Sequence, residues 1–120
     1  MTEKPSNKVL YREAMWEEEK GDKKVMTIVA FNKLTGRGGA EVDEEEAVSL
    51  LEERVKDKDS EAMWMLGLCY EYGIGIEQDI KCAEYLYYQS HECHNEIGRF
   101  LWLTVGFRRG SNVMKLRISL

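Results

Sequence analysis

AMWMLGLCYEYGIGIEQDIKCAEYLYYQS, residues 62–90, holds two helical stripes and the turn between them. Ala62, Leu66, Gly67 and Tyr70 recur at the spacing that lines one face of a helix, and Ser60 ahead of them can cap it. Gly73 and Gly75 can take positive φ, which ends the first helix and turns the chain tightly. Asp79 then offers a side-chain oxygen to the free N–H groups of a second helix, along which Ala83, Leu86 and Tyr87 form the apolar stripe. The small residues Ala62, Gly67 and Ala83 mark points where helices can cross closely. The segment therefore predicts an antiparallel helix pair over 60–92, one that cannot bury its own stripe without neighbours.

Working outward, the same pattern returns with a period of 36 residues. Asn7, Asp43 and Asp79 stand at that spacing, each a good helix cap, and Tyr11, Ala47 and Ala83 follow four residues after them. Helices of this second type are expected over 7–20, 43–56 and 79–92. Between them lie helices of a first type: 60–72, an earlier copy carrying Met26, Ala30, Phe31 and Leu34 behind Asp22, and a looser copy over 95–109 with Gly98, Trp102, Leu103 and Gly106. Val25–Phe31 (VMTIVAF) is β-branched and continuously apolar, which suits a buried strand, but the register requires helix there. The last residues, Val113–Leu120, alternate apolar and polar side chains and leave the repeat.

Residues 62–90 resemble the Sel-one-like repeat, a relative of the tetratricopeptide repeat. The positions that carry the resemblance are Ala62, Leu66–Gly67, Tyr70, Gly73-x-Gly75-Ile76, Asp79, Ala83 and Leu86–Tyr87. Ile76 replaces the family's Val, Leu86 its usual Trp, and Ser90–His91 a common pair of alanines. The resemblance implies an all-α fold, an α/α superhelix of antiparallel helix pairs with about six helices. Within a single domain, 1–120, the clear repeat covers 60–92, a divergent one 22–57, half repeats 7–20 and 95–110, and a non-repeat tail 111–120. Some secreted members of the family cross-link their helices with cysteines near the positions of His91 and Gly98. This chain lacks them there, so free, buried thiols are expected.

Composition narrows the function. A formal charge of −5 argues against generic binding to nucleic-acid phosphates. The charge is unevenly spread, with ten acids against three bases over residues 41–61 and only bases after Glu96. No stretch approaches the roughly 18 apolar residues of a membrane span, and MTEKPSNK has no signal-peptide core. Three cysteines without a secretory signal suggest reduced thiols and a cytoplasmic location.

Three arrangements could carry chemistry. Cys82, His91, Cys93 and His94 have metal-ligating side chains, but zinc needs about four of them to converge. Cys82 lies about 13 Å before His91 along the helix at 1.5 Å per residue. No acid-oriented nucleophile surrounds the two histidines. Gly36-Arg37-Gly38-Gly39 lacks the Lys-Ser/Thr of a phosphate loop and reads as an inter-helix turn. Neither a metal nor a cofactor is expected.

In related superhelical repeats the first-type helices line a concave groove that holds peptides. Carried onto helix 60–72, this nominates Glu61, Trp64, Leu68, Glu71 and Tyr72 as partner-binding residues, with the two acids favouring basic ligands. Helix 95–109 lacks a following second-type helix, so Phe100, Trp102, Leu103 and Phe107 are candidates for self-association, and a homo-oligomer through the C-terminal helix is possible. The expected function is a non-catalytic adaptor or scaffold that binds a protein or peptide. Two alternatives are a regulatory helical-repeat module of a larger enzyme such as a kinase, and a small metal-dependent or Cys/His hydrolase.

Overall fold

The computed structural model describes residues 23–109. They form five α-helices: α1 (Lys23–Thr35), α2 (Glu44–Lys56), α3 (Ser60–Tyr72), α4 (Ile80–Glu92) and α5 (Glu96–Arg108). Each packs on the next; in addition α1 meets α3, and α3 meets α5. The first-type helices α1, α3 and α5 thus make one layer, and α2 and α4 the other. The half repeat 7–20, the Asp22 cap and the tail 111–120 lie outside the described residues.

The helix starts follow from capping. Asp43 accepts from the Glu46 N–H, Asp79 from the Cys82 N–H, and Asn95 from the Gly98 N–H. α3 differs from expectation: its cap is Asp59, which accepts from the Glu61 and Ala62 N–H groups. Ser60 stands one place inside the helix. Its carbonyl accepts from Ser90 Oγ at 2.9 Å and its hydroxyl from Asn95 Nδ2 at 3.2 Å, so it ties α3 to α4 and α5.

Val25–Phe31 is helical despite its strand-like composition. Val29 and Ala30 are fully buried and Lys33 nearly so, while Ile28 is 54% exposed. That is helical, not alternating, burial. Packing of one face against α2 overrides the β-propensity of the β-branched residues.

The α3–α4 turn is built as its glycines predict. Gly73 caps α3 in the left-handed region, and a Cβ on Gly75 (φ +69°) would overlap the Glu44 backbone of α2. Two adjoining clusters make up the core. Ala30, Val48, Leu51, Ala62, Leu66, Cys69 and Leu86 join α1 through α4, and Ala83, Tyr87 and Val105 join α4 to α5. A Cβ on Gly67 would overlap the Tyr87 ring, and one on Gly98 would overlap the Ser90 side chain. These two glycines set how closely α4 is sandwiched between α3 and α5.

Candidate partner-binding groove

A groove of about 700 Å³ opens between α1 and α3. Thr27, Ile28 and Phe31 line it from α1, Trp64, Met65 and Glu61 from α3, Arg54 from the last turn of α2 and Asp59 from the connection between α2 and α3. Register explains the apolar lining. Ile28 and Trp64 occupy the same position of successive first-type helices, 36 residues apart, as does Phe100 on α5.

The polar end of the groove is organised around Asp59. One carboxylate oxygen caps α3, and the other accepts from Thr27 Oγ1 at 2.6 Å. Arg54 is only 6% exposed; its Nη1 donates to Asp57 Oδ2 at 2.7 Å, and its Nε stands 3.7 Å from Asp59 Oδ2. That Nε is sealed from solvent and has no hydrogen-bond acceptor. At the rim Glu61 is exposed and accepts from Trp64 Nε1 at 2.7 Å, which fixes the indole across the groove. Its other oxygen accepts from Asn95 Nδ2 at 3.4 Å.

Of the residues nominated from sequence, Glu61 and Trp64 lie together at this groove. Leu68 is half-buried and packs on the cluster of Ala83, Tyr87 and Val105. Tyr72 is 53% exposed under the Arg109 guanidinium, 5.0 Å from its ring centroid. Glu71 is a correction. Its side chain is fully buried, so it presents no carboxylate to a ligand. It accepts from Tyr87 Oη at 2.7 Å, from Arg108 Nη2 at 2.8 Å and from Arg109 Nε at 3.2 Å, and this bundle ties the end of α5 to α3. Burial pushes the Glu71 carboxyl up, but the Arg108 and Tyr87 hydrogen bonds and the charges of Arg108 and Arg109 outweigh it and leave the pKa lowered. Tyr87 is raised by burial and by its bond to Glu71.

On α5, Phe100 and Phe107 are exposed, 63% and 57%. Trp102 corrects the remaining expectation, and Leu103 is likewise only partly exposed. The Trp102 indole stacks on His91 with ring centroids 5.1 Å apart and meets Tyr88 at 5.2 Å, so it serves the α4–α5 contact. The cysteines also differ from expectation. All three are free, but only Cys69 is buried, and burial, with the nearby charge of Glu44, pushes its thiol up to about 11. Cys82 is half-buried, its Sγ 3.2 Å from Asp79 Oδ2, and Cys93 is exposed. Among the described residues no three His, Cys, Asp or Glu side chains are placed to share a metal.

Sequence reasoning missed Thr27, Ile28, Phe31, Arg54, Asp59 and Met65. A signal for two of them was present. By the 36-residue register Phe31 stands where the clear repeat has Gly67, and Arg54 stands where it has Ser90.

The family model of the Sel1 repeat matches residues 26–53 and 60–92. The chain belongs to the Sel1 repeat family. Sel1 repeat domains are typically protein-interaction modules and generally non-catalytic. Among solved structures, a Sel1 repeat protein from Oxalobacter formigenes superposes with a TM-score of 0.76 at 22% identity. The match covers 85% of this chain and 40% of that one, so this chain spans less than half the length of that relative. No curated protein matches the chain in sequence. No described helix is long and apolar enough to cross a membrane.

Proposed function

We propose that this Sel1 repeat domain is a non-catalytic adaptor that docks a segment of a partner protein in the groove between α1 and α3. The observation that carries the reading is the lining itself. Ile28 keeps more than half its surface in water, and Phe31, Trp64 and Met65 stand beside it as one apolar strip. A concave apolar surface with a few oriented polar groups is the usual form of a binding site. Trp64 is suited to anchor a ligand, because large aromatic side chains dominate interface energetics and its indole is already held by Glu61.

The test is selection of binders from a random peptide library, followed by calorimetry against the wild type and Ile28→Glu. The substitution places a charge in the strip at an exposed position, so it leaves the core intact. Selected peptides should lose at least about tenfold in affinity, equivalent to about 1.4 kcal/mol. A library that yields no binder sensitive to Ile28→Glu overturns the proposal.

A further inference from the structure

One repeat of 36 residues carries Glu61, Trp64, Leu68 and Glu71 of α3 onto Ile97, Phe100, Thr104 and Phe107 of α5. Both acids have become apolar. Glu71 is buried on α3 under Arg108 and Arg109, whereas Phe107 in the same place on α5 is 57% exposed. Ile97 and Phe100 are open as well, 46% and 63% exposed. Thr104 donates its hydroxyl to the Phe100 carbonyl at 2.8 Å, so its polar atom is satisfied within its own helix. Steps of three, four and three residues align the four side chains in one stripe, the spacing of a helix–helix seam. Gly98 and Val105 point the other way and are buried against α4. α5 thus has one face packed in the domain and an apolar face left open by the described residues.

That face is complementary to itself. About a two-fold axis, residue i of one copy meets residue j of the other, and j meets i. With two α5 helices antiparallel and the axis level with Trp102, Ile97 meets Phe107 of the second copy, and the smaller Thr104 meets the larger Phe100. Leu103, partly exposed, lies beside the axis next to its own copy. The charges agree with this direction. Glu96 is exposed at one end of α5, and at the other Arg108 and Arg109 share the single carboxylate of Glu71. Arg99 stands about a third of a turn off the stripe. An antiparallel pair sets the acidic end of each helix alongside the basic end of the other, and a parallel pair would set like ends together. The other first-type helices lack this symmetry: α3 would oppose Glu61 to Glu71, and α1 would oppose Val25 to Thr35 and Ile28 to Asn32.

We propose that two copies of this chain associate through α5, antiparallel about a two-fold axis at Trp102, with Ile97, Phe100, Thr104 and Phe107 as the seam. Covering two aromatic side chains and an isoleucine, each roughly half exposed, removes on the order of 300 Å² of apolar surface per copy from water. A standard interface buries about 800 Å² per partner, so the dimer is weak and reversible, with a dissociation constant on the order of 10 µM. The seam shares no residue with the lining of the groove, and α1 makes no contact with α5.

Sedimentation velocity on the full chain, from about 1 to about 300 µM, measures the association. Far-UV circular dichroism confirms that each variant is folded, and the substituted positions are exposed ones. Ile97→Lys and Phe107→Glu should each weaken the dimer at least about tenfold. Mixed together, the two variants should pair at least about tenfold more tightly than either does alone. In the mixed dimer the introduced cation opposes the introduced anion while the second Ile97–Phe107 contact stays unaltered, and added salt should weaken that recovery. Ile28→Glu should dimerise as the wild type does. A full chain that stays monomeric throughout overturns the proposal, whether its own residues 110–120 or a different protein takes the stripe. So does a dimer that ignores both α5 substitutions, or one that Ile28→Glu disrupts, which would put the second copy in the groove. The antiparallel two-fold falls if the mixture pairs no better than its components.

Discussion

The two helix pairs solve one packing problem in opposite ways. In α3–α4 the first-type helix gives up its side chain, Gly67, and the second-type helix fills the space with the fully buried ring of Tyr87. In α1–α2 the same register places Phe31 on the first-type helix and the smaller Leu51, also fully buried, on the second. The aromatic bulk has moved to the other partner, and part of it now reaches the groove; the Arg37 guanidinium lies over the Phe31 ring with 5.7 Å to the centroid. A second exchange follows the same logic. The small buried Ser90 of α4 corresponds to Arg54 of α2, which also lines the groove. The clear repeat devotes these positions to close packing, whereas the divergent repeat uses them to make a surface.

The sharpest way to break this contrast is to force one pair into the other's solution. Gly67→Phe should destabilise the domain by at least about 3 kcal/mol, since a ring must enter a site Tyr87 already fills. Adding Tyr87→Leu, which copies the α1–α2 arrangement but also removes the Tyr87 hydrogen bond to Glu71, should restore part of that loss. Urea denaturation of the two single variants and the double checks the coupling, and strict additivity would show that the exchange is not one packing unit.

Next in size is Glu71→Gln. Removing the charge leaves Arg108 and Arg109 without their buried partner, at a cost of about 3 kcal/mol. The pH dependence has a definite sign. The folded pKa of Glu71 lies below its ordinary value of 4.5, so the ionised group stabilises the fold above that value and the gain is lost as pH falls below it. The acid limb of a stability profile, recorded from neutral pH down through that range, should therefore be shallower in Glu71→Gln than in the wild type.

Arg54→Ser imposes the clear repeat's residue on the divergent one. It should cost about 1.5 kcal/mol, because the lost ion pairs are partly open to water and Asp57 and Asp59 can resolvate. Thermal denaturation measures it. The smallest effect belongs to Ile28→Ser, within about 0.5 kcal/mol as expected for an exposed position, although the same change removes part of the groove's apolar lining. A large loss of stability there would mean that Ile28 belongs to the core.

Much of the fold was legible because capping and glycine chemistry are local. Asp43 and Asp79 start their helices through their own side chains, and Gly73 ends α3 through its own φ of 68°. The register also overruled the strand-like look of Val25–Phe31. The groove was only half legible. Glu61 and Trp64 were found because helical periodicity places them on one face, but the same periodicity placed Glu71 on an open face. It is in fact enclosed by Tyr87 and by Arg108 and Arg109, 37 and 38 residues further on. Trp102 was misjudged for the same reason: its partners His91 and Tyr88 come from another helix.

The amino-acid order alone determined where most helices begin and where the chain turns, because those properties depend on side chains meeting their own backbone. Tertiary structure alone decided which faces stay open. Whether a carboxylate such as Glu71 meets water or a guanidinium depends on groups far along the chain, and the spacing of residues within one helix contains no information about them.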